Sequence, residues 1–142
     1  MILVDANLLL YAENQSAAQH EAAVAWWDQK LSSVEPVCLC WTVLNAFIRI
    51  GTNPRVFEVP LTTEAAVGKV QSWIQQPCVR IIVPTSEHWR IVQQLLQASG
   101  TSGNLVTDAH LAALSIQYSC EICTTDSDFG RFPGIRWRNP LQ

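Results

Sequence analysis

The stretch Ile2-Leu3-Val4-Asp5 decides the fold. Three consecutive apolar residues end on a carboxylate, without the polar alternation of a half-exposed strand. Such a run is a strand buried on both faces, the way strands of a parallel sheet read. Parallel strands need long crossovers, and helical patterns follow each strand-like run. Residues 7–14 and 16–31 read as helices, the second with Val24, Trp27 and Leu31 toward the core. Residues 37–40 form a second strand, 42–51 a helix, and 63–76 another helix that stops before Pro77. Residues 80–83 are a third strand and 86–98 a helix closed by Gly100. After the loop Thr101-Ser102-Gly103, Asn104 is the expected N-cap of a helix over 105–118. Residues 121–124 are a fourth strand, and 135–138 offer a fifth. This alternation predicts one α/β domain over residues 1–142, a three-layer α/β/α sandwich around a mostly parallel sheet of four to five strands.

The aspartates give the chemistry. Four of the five sit where packing alone would not put them. Asp5 ends the first strand, Asp108 interrupts the apolar segment 105–116, and Asp126 and Asp128 follow the last buried strand. A carboxylate beside a core loses hydration, and unpaired it costs several kcal/mol or shifts its pKa. In open parallel sheets, ligands bind outside the carboxyl ends of the strands. Asp5 and Asp126 point to that rim, and Asp108 leans toward the N-terminus of its helix, expected at the same rim. An all-carboxylate set suits a hard cation such as Mg²⁺ or Mn²⁺, and such ions promote phosphodiester hydrolysis. Each residue also has a structural reading. Asp5 fits an N-cap, Asp108 a helix-dipole partner, and Asp126 and Asp128 Asx-turn formers.

Composition bounds the partners. Hydrophobic residues make up 49% and charged residues 15%, well below the usual ~25% charged. A domain this short of charge leaves apolar surface, which points to oligomerisation or a permanent partner. The net charge of −3 lacks the basic footprint of a nucleic-acid binder. Setting the four aspartates aside leaves eight acids against nine bases, with Arg131, Arg136 and Arg138 clustered after Asp128. Those arginines read either as a solvated edge or as phosphate contacts. The five cysteines are odd in number and lie in apolar contexts, as reduced thiols of a cytosolic protein do. Cys120-Glu121-Ile122-Cys123 has no second pair to complete a zinc site. The opening lacks a basic export region, and no apolar run approaches the ~18 residues of a membrane span. A soluble, cytoplasmic protein is expected.

These residues resemble a known family. Met1-Ile2-Leu3-Val4-Asp5-Ala6-Asn7 resembles the opening of PIN-domain ribonucleases, in particular the VapC-type toxins of bacterial toxin–antitoxin pairs. Gly103-Asn104-Leu105-Val106-Thr107-Asp108-Ala109-His110 resembles their central acidic helix, and Thr125-Asp126-Ser127-Asp128-Phe129 their C-terminal acidic segment. Phe47-Ile48-Arg49-Ile50 and the stretch 52–57 also resemble a segment common in these toxins. The likeness runs in order along essentially the whole chain. It implies a PIN-like sandwich and a Mg²⁺-dependent endoribonuclease, with Mn²⁺ able to substitute. It also implies a homodimer, held in check by a cognate antitoxin lying across the active-site groove. Asp5, Asp108 and Asp126 would be the catalytic metal ligands, with Asp128 assisting. Arg49 and Arg131 are the candidates for contacting the RNA substrate.

One departure stands out. Many PIN domains carry a further acid, usually Glu, early in the helix after the second strand. Here that region reads Trp41-Thr42-Val43-Leu44-Asn45, with no acid between Glu35 and Glu58. Asn45 reads as helix surface or a neutral oxygen donor. A site with fewer carboxylates is expected to hold one ion well, to bind metal more weakly, or to use Asp128 in compensation. A non-catalytic or weakly active RNA- or protein-binding module is therefore the alternative reading. Phosphotransfer on Asp5 is a third. Against it, Asn7 stands where a dehalogenase-type motif has its second Asp, and Lys30 and Lys69 are the only lysines. Trp26 fits either a partner groove or the core edge, His110 reads as helix surface, and His20 and His88 carry no signal.

Overall fold

The computed structural model describes residues 1–100, 103 and 105–142, so the expected cap at Asn104 lies outside them. The strands are β1 (Ile2–Val4), β2 (Val37–Leu39), β3 (Val79–Ile81), β4 (Glu121–Cys123) and β5 (Arg136–Arg138). They pair in the order β3-β2-β1-β4-β5, and every pair is parallel. The helices are α1 (Ala6–Glu13), α2 (His20–Leu31), α3 (Trp41–Gly51), α4 (Thr63–Ile74), α5 (His88–Ser99) and α6 (Leu105–Tyr118). A 3₁₀ turn (Ser127–Arg131) leads into β5. The expected α/β/α sandwich is observed, with the sheet at the five-strand limit. Among the described residues, no helix is long and apolar enough to cross a membrane.

The strand order fixes where a site can lie. From β1 the chain steps to β2 and β3 in one direction, then returns past β2 and β1 to β4 and continues to β5. Right-handed crossovers put α1–α4 on one face of the sheet and α5 and α6 on the other. The packing agrees: α1 lies against α2 and α3, α3 against α4, and α5 against α6. The order reverses between β1 and β4. Loops leaving these neighbours therefore diverge and open a crevice at their carboxyl ends.

Burial follows sequence along each strand. Residues 2–4 and 37–39 are fully enclosed, whereas β3 and β5 expose Arg80, Arg136 and Arg138. Charge on the edge strands discourages further strand addition. The register sets Leu3 level with Cys38 and Ile122 in the middle of the sheet. All five cysteines are buried free thiols, matching the sequence reading.

An aromatic chain ties the larger helical layer together. Trp26 stacks on Trp27 at 6.0 Å, Trp27 meets Trp73 edge-on at 5.7 Å, and Trp73 meets Phe47 at 4.8 Å. Trp26 therefore belongs to the core edge rather than to an open groove. Phe47 is fully enclosed, so Phe47→Ala removes both a large apolar side chain and an edge-to-face contact. The expected cost is ~3–5 kcal/mol. Urea denaturation should show a lower midpoint at an unchanged slope, and a loss below ~1 kcal/mol would contradict this packing.

Candidate active site

Asp5 holds two jobs at the switch point. Its N–H continues the β1–β4 ladder by donating to the Cys123 carbonyl at 3.0 Å. Its backbone is extended, and its Oδ1 accepts from the Ala6 N–H at 2.7 Å as the N-cap of α1. Oδ2 accepts from the Thr124 hydroxyl at 2.8 Å and, less closely, from the Asn7 amide at 3.3 Å. Burial pushes the Asp5 carboxyl up; the Thr124 and Ala6 donors oppose this, and the negative charge of Asp126 adds to it. The capping role and the site role are compatible, because each carboxylate oxygen has two lone pairs.

Thr124 is the hub beneath this rim, and the sequence reading missed it. It is completely buried at the end of β4. Its hydroxyl donates to Asp5 and accepts from the Asn7 amide at 3.0 Å and from the Asp126 N–H at 3.0 Å. One donor and two acceptor positions are thus all used. Asn7 also accepts from the Thr125 N–H at 3.3 Å, which fixes the turn after β4 onto the start of α1. A threonine at a strand end reads as an ordinary β-former, and its partner lies 119 residues away.

Asp108 closes the cluster from the other helical layer. It lies in the first turn of α6 and, with Asp5, Thr42 and Leu111, lines a cavity of about 50 Å³. Its carboxyl is pushed up to about 6, chiefly by burial, then by the negative charges of Asp5, Asp126 and Asp128. Those contributions outweigh the modest help a helix N-terminus gives a carboxylate. Asp126 caps the 3₁₀ turn, its Oδ1 accepting from the Asp128 N–H at 2.9 Å. This is the Asx arrangement expected as its structural role. Asp128 forms an ion pair with Arg131 at 3.3 Å, with both side chains about half exposed.

The structure sorts the remaining candidates. Arg49 is exposed on α3, three residues beyond Ala46 and seven beyond Thr42, so it shares the helical stripe that lines the carboxylate cavity. Arg138 is occupied by Glu121 at 2.8 Å. Arg136 donates to the Ser119 carbonyl and pairs in register with Glu121 at the start of β4, away from the rim. Asn45 is exposed and is not among the residues lining the cavity, whereas Thr42 is. A larger cavity, about 440 Å³, lies elsewhere, between α2 and α4 beside Trp27 and Trp73. Chemistry rather than volume locates the site.

The donor set fits a hard divalent cation. It is all oxygen: carboxylates at Asp5, Asp108, Asp126 and Asp128, with Thr42 also lining the cavity. Among the described residues, no three Asp, Glu, His or Cys side chains sit close enough to form a ready-made metal cage. The four aspartates share one electrostatic field, since Asp5, Asp126 and Asp128 all act on Asp108.

An all-parallel sheet with four carboxylates gathered at its topological switch point defines an acidic-crevice α/β protein. The family model described as PIN domain matches residues 2–135. Ribonuclease VapC37 of Mycobacterium tuberculosis is 43% identical over 140 residues, covering 99% of this chain and 97% of its own length. Ribonuclease VapC33 of the same organism is 39% identical over 142 residues, 100% of this chain and 99% of its own. Among solved structures, M. tuberculosis VapC20, a sarcin–ricin-loop-cleaving toxin, superposes with a TM-score of 0.68. It is 20% identical and covers 96% of this chain and 99% of its own. VapBC2 from Rickettsia felis, bound to a promoter DNA fragment, also gives 0.68, at 17% identity over 98% of each chain. The chain belongs to the PIN-domain family and, within it, to the VapC-type group.

Two outcomes follow from this geometry. Thr124→Val leaves the Asn7 amide and the Asp126 N–H without their acceptor, so denaturation should show a loss of ~1–3 kcal/mol. Thr124→Ser keeps the hydroxyl and should stay within about 1 kcal/mol of the wild type; equal losses in both variants would remove the hub role. The second outcome concerns pH. The folded-state pKa of Asp108 is raised to about 6 from an ordinary 3.8, so the folded protein holds this proton more tightly than the unfolded chain. Its contribution is fully present below pH 3.8 and is lost as pH rises through about 6. In metal-free buffer at pH 7.5, Asp108→Asn should therefore be more stable than the wild type, by about 1 kcal/mol once solvent screening is allowed for. The advantage should vanish at pH 4, and a variant less stable at both pH values would contradict the shared field.

Proposed function

We propose that this chain is a Mg²⁺-dependent endoribonuclease, with Mn²⁺ able to substitute, and the toxin half of a toxin–antitoxin pair. The observation that carries the reading is the convergence of Asp5 and Asp108 on one cavity, with Asp126 and Asp128 close enough to act on Asp108. Gathering four carboxylates is costly unless a cation offsets them. RNA is also a polyanion, so a backbone phosphate can meet this rim only with positive charge between. Relatives named as ribonucleases, similar over essentially the whole chain, support RNA as the substrate.

Asp5, Asp108 and Asp126 would hold the ion, with Asp128 at the periphery because Arg131 engages it. A divalent cation in such a site neutralises phosphate charge and makes a bound water more acidic. The other contributions come from the chain itself. Thr124 and Asn7 fix the orientation of Asp5, as second-layer partners of ligating carboxylates do. Arg49, on the cavity-facing stripe of α3, contacts the RNA backbone, and Arg131 contributes a second contact beside Asp128, which it restrains. Hydrolysis adds water across one P–O bond, leaving a phosphomonoester on one fragment and a hydroxyl on the other. The solved VapBC complexes support a cognate antitoxin as partner. Exposed apolar side chains such as Trp89 and Val59 support further burial, in a homodimer or under the antitoxin.

Incubating the purified chain with RNA should give cleavage that needs Mg²⁺ or Mn²⁺ and stops with EDTA. Asp5→Ala and Asp108→Ala should lower the rate by more than ~100-fold. A folded variant cutting at the wild-type rate would end the assignment. Mg²⁺ should also raise the melting temperature of the wild type more than that of Asp108→Asn, since binding to the folded state stabilises it. RNA retained without any cleavage would instead favour the binding-module reading, which the acid-free α3 and exposed Asn45 motivate.

A further inference from the structure

A second pocket opens beside the carboxylates. It measures about 100 Å³ and shares two wall residues, Thr42 and Leu111, with the cavity of Asp5 and Asp108. Its other walls include Trp41, Pro84, His88 and His110. Trp41 stands at the start of α3 with 51% of its surface open, which is unusual for a side chain this large and apolar. Trp41, Pro84, His88 and His110 are not among the residues lining the carboxylate cavity.

The polar wall is an ordered relay whose proton positions can be assigned. The backbone N–H of Thr85 donates to Gln117 Oε1 at 2.8 Å, and the Thr85 hydroxyl does the same at 2.8 Å. A backbone N–H can only donate, so the orientation of the Gln117 amide is fixed. Its Nε2 then donates to the Ala113 carbonyl at 2.9 Å and to His88 Nδ1 at 2.7 Å. His88 Nδ1 is therefore the bare nitrogen, and Nε2 carries the proton it donates to His110 Nδ1 at 2.9 Å. Burial, and then His110, hold His88 below the usual imidazole range, consistent with a neutral ring. Because His110 Nδ1 accepts, the ring's own proton sits on Nε2. That N–H has no partner among the described residues and is the one polar group His110 has left to offer the pocket.

We propose that this pocket is a base subsite: it takes one unstacked base of the RNA beside the cleaved phosphodiester, stacks it on Trp41, and reads a hydrogen-bond acceptor on its edge through His110 Nε2–H. The size suits one planar ring rather than a helix or strand. The shared Thr42 and Leu111 place it within one nucleotide of the carboxylates. Stacking on an aromatic face tolerates any base, whereas a donor locked in one tautomer rejects an edge that offers only a donor in that position. Thr85 and Gln117 act as positioning residues, since they fix the relay without touching the base. The subsite rests on the ribonuclease reading for its substrate.

The test is cleavage of an RNA pool randomised around the cut, with products sequenced, alongside binding of short oligoribonucleotides in EDTA read by tryptophan quenching. The wild type should prefer one base class next to the cut. Trp41→Ala should raise KM about 5- to 150-fold at little-changed kcat, the range of one lost base stack, while Trp41→Phe retains most of the affinity. His110→Ala should flatten the base preference with a smaller effect on KM. In EDTA, Trp41→Ala should lose both the quenching and the affinity. Unchanged KM and unchanged preference in both alanine variants would overturn the subsite. Loss of dimers in Trp41→Ala at unchanged KM would overturn it too, assigning this face to a second copy of the chain. If the wild type cuts no RNA yet binding in EDTA still depends on Trp41, the subsite stands and the ribonuclease reading falls. If neither cleavage nor binding is seen, both fall.

Discussion

The parallel pairing of β1 with β4 runs one residue beyond the strands themselves, through the Asp5 N–H and the Cys123 carbonyl. Everything at the acidic rim depends on that extension. It brings the end of the first strand beside Thr124, 119 residues later, at the one place where the strand order reverses. The buried hydroxyl then joins Asp5, Asn7 and the Asp126 backbone into one rigid unit. Two loops that would otherwise diverge are held together at their roots. Asp108 is the member contributed independently, from a helix on the opposite face.

The cost of this arrangement is electrostatic. Asp5 and Asp108 both lie above the ordinary carboxylate range, and in both the largest cause is burial. At Asp108 the like charges come second, whereas at Asp5 the opposing Thr124 and Ala6 hydrogen bonds outrank the charge of Asp126. The fold thus imposes the low-dielectric setting and the cluster aggravates it. Hydrogen bonds offset part of this at Asp5, and Arg131 offsets part at Asp128. Asp108 has no comparable relief among the described residues, so it is where a bound cation would change the balance most.

Much of this was legible in the sequence, for identifiable reasons. The apolar runs 2–4 and 37–39 marked the central strands, and α6 was readable to its bounds from the spacing of Leu105, Ala109 and Ala112. The edge strand β3 was misplaced by a residue or two, since Val83 before Pro84 looks strand-like but is exposed. Helix α2 begins at His20, whereas the sequence pattern starts it at Ser16. There the Asn14 side chain accepts from the Ser16 N–H, and such local bonds compete with helix formation. Asp5, Asp108 and Asp126 were legible because charge against an apolar background is conspicuous. Thr124 was not, because its role depends on a partner distant in sequence. The His88–His110 pair was missed for a similar reason: each imidazole is unremarkable on its own helix, and only the packing of α5 on α6 joins them.

These aspartates are proposed to form the cation site of the protein. Anomalous diffraction from crystals soaked in Mn²⁺ tests it directly. A peak is expected at the carboxyl ends of β1 and β4, bounded by oxygens of Asp5, Asp108 and Asp126, and is expected to be lost in Asp108→Asn. A peak confined to another location, such as the His88–His110 pair, or no peak at the rim in well-soaked crystals, would contradict it.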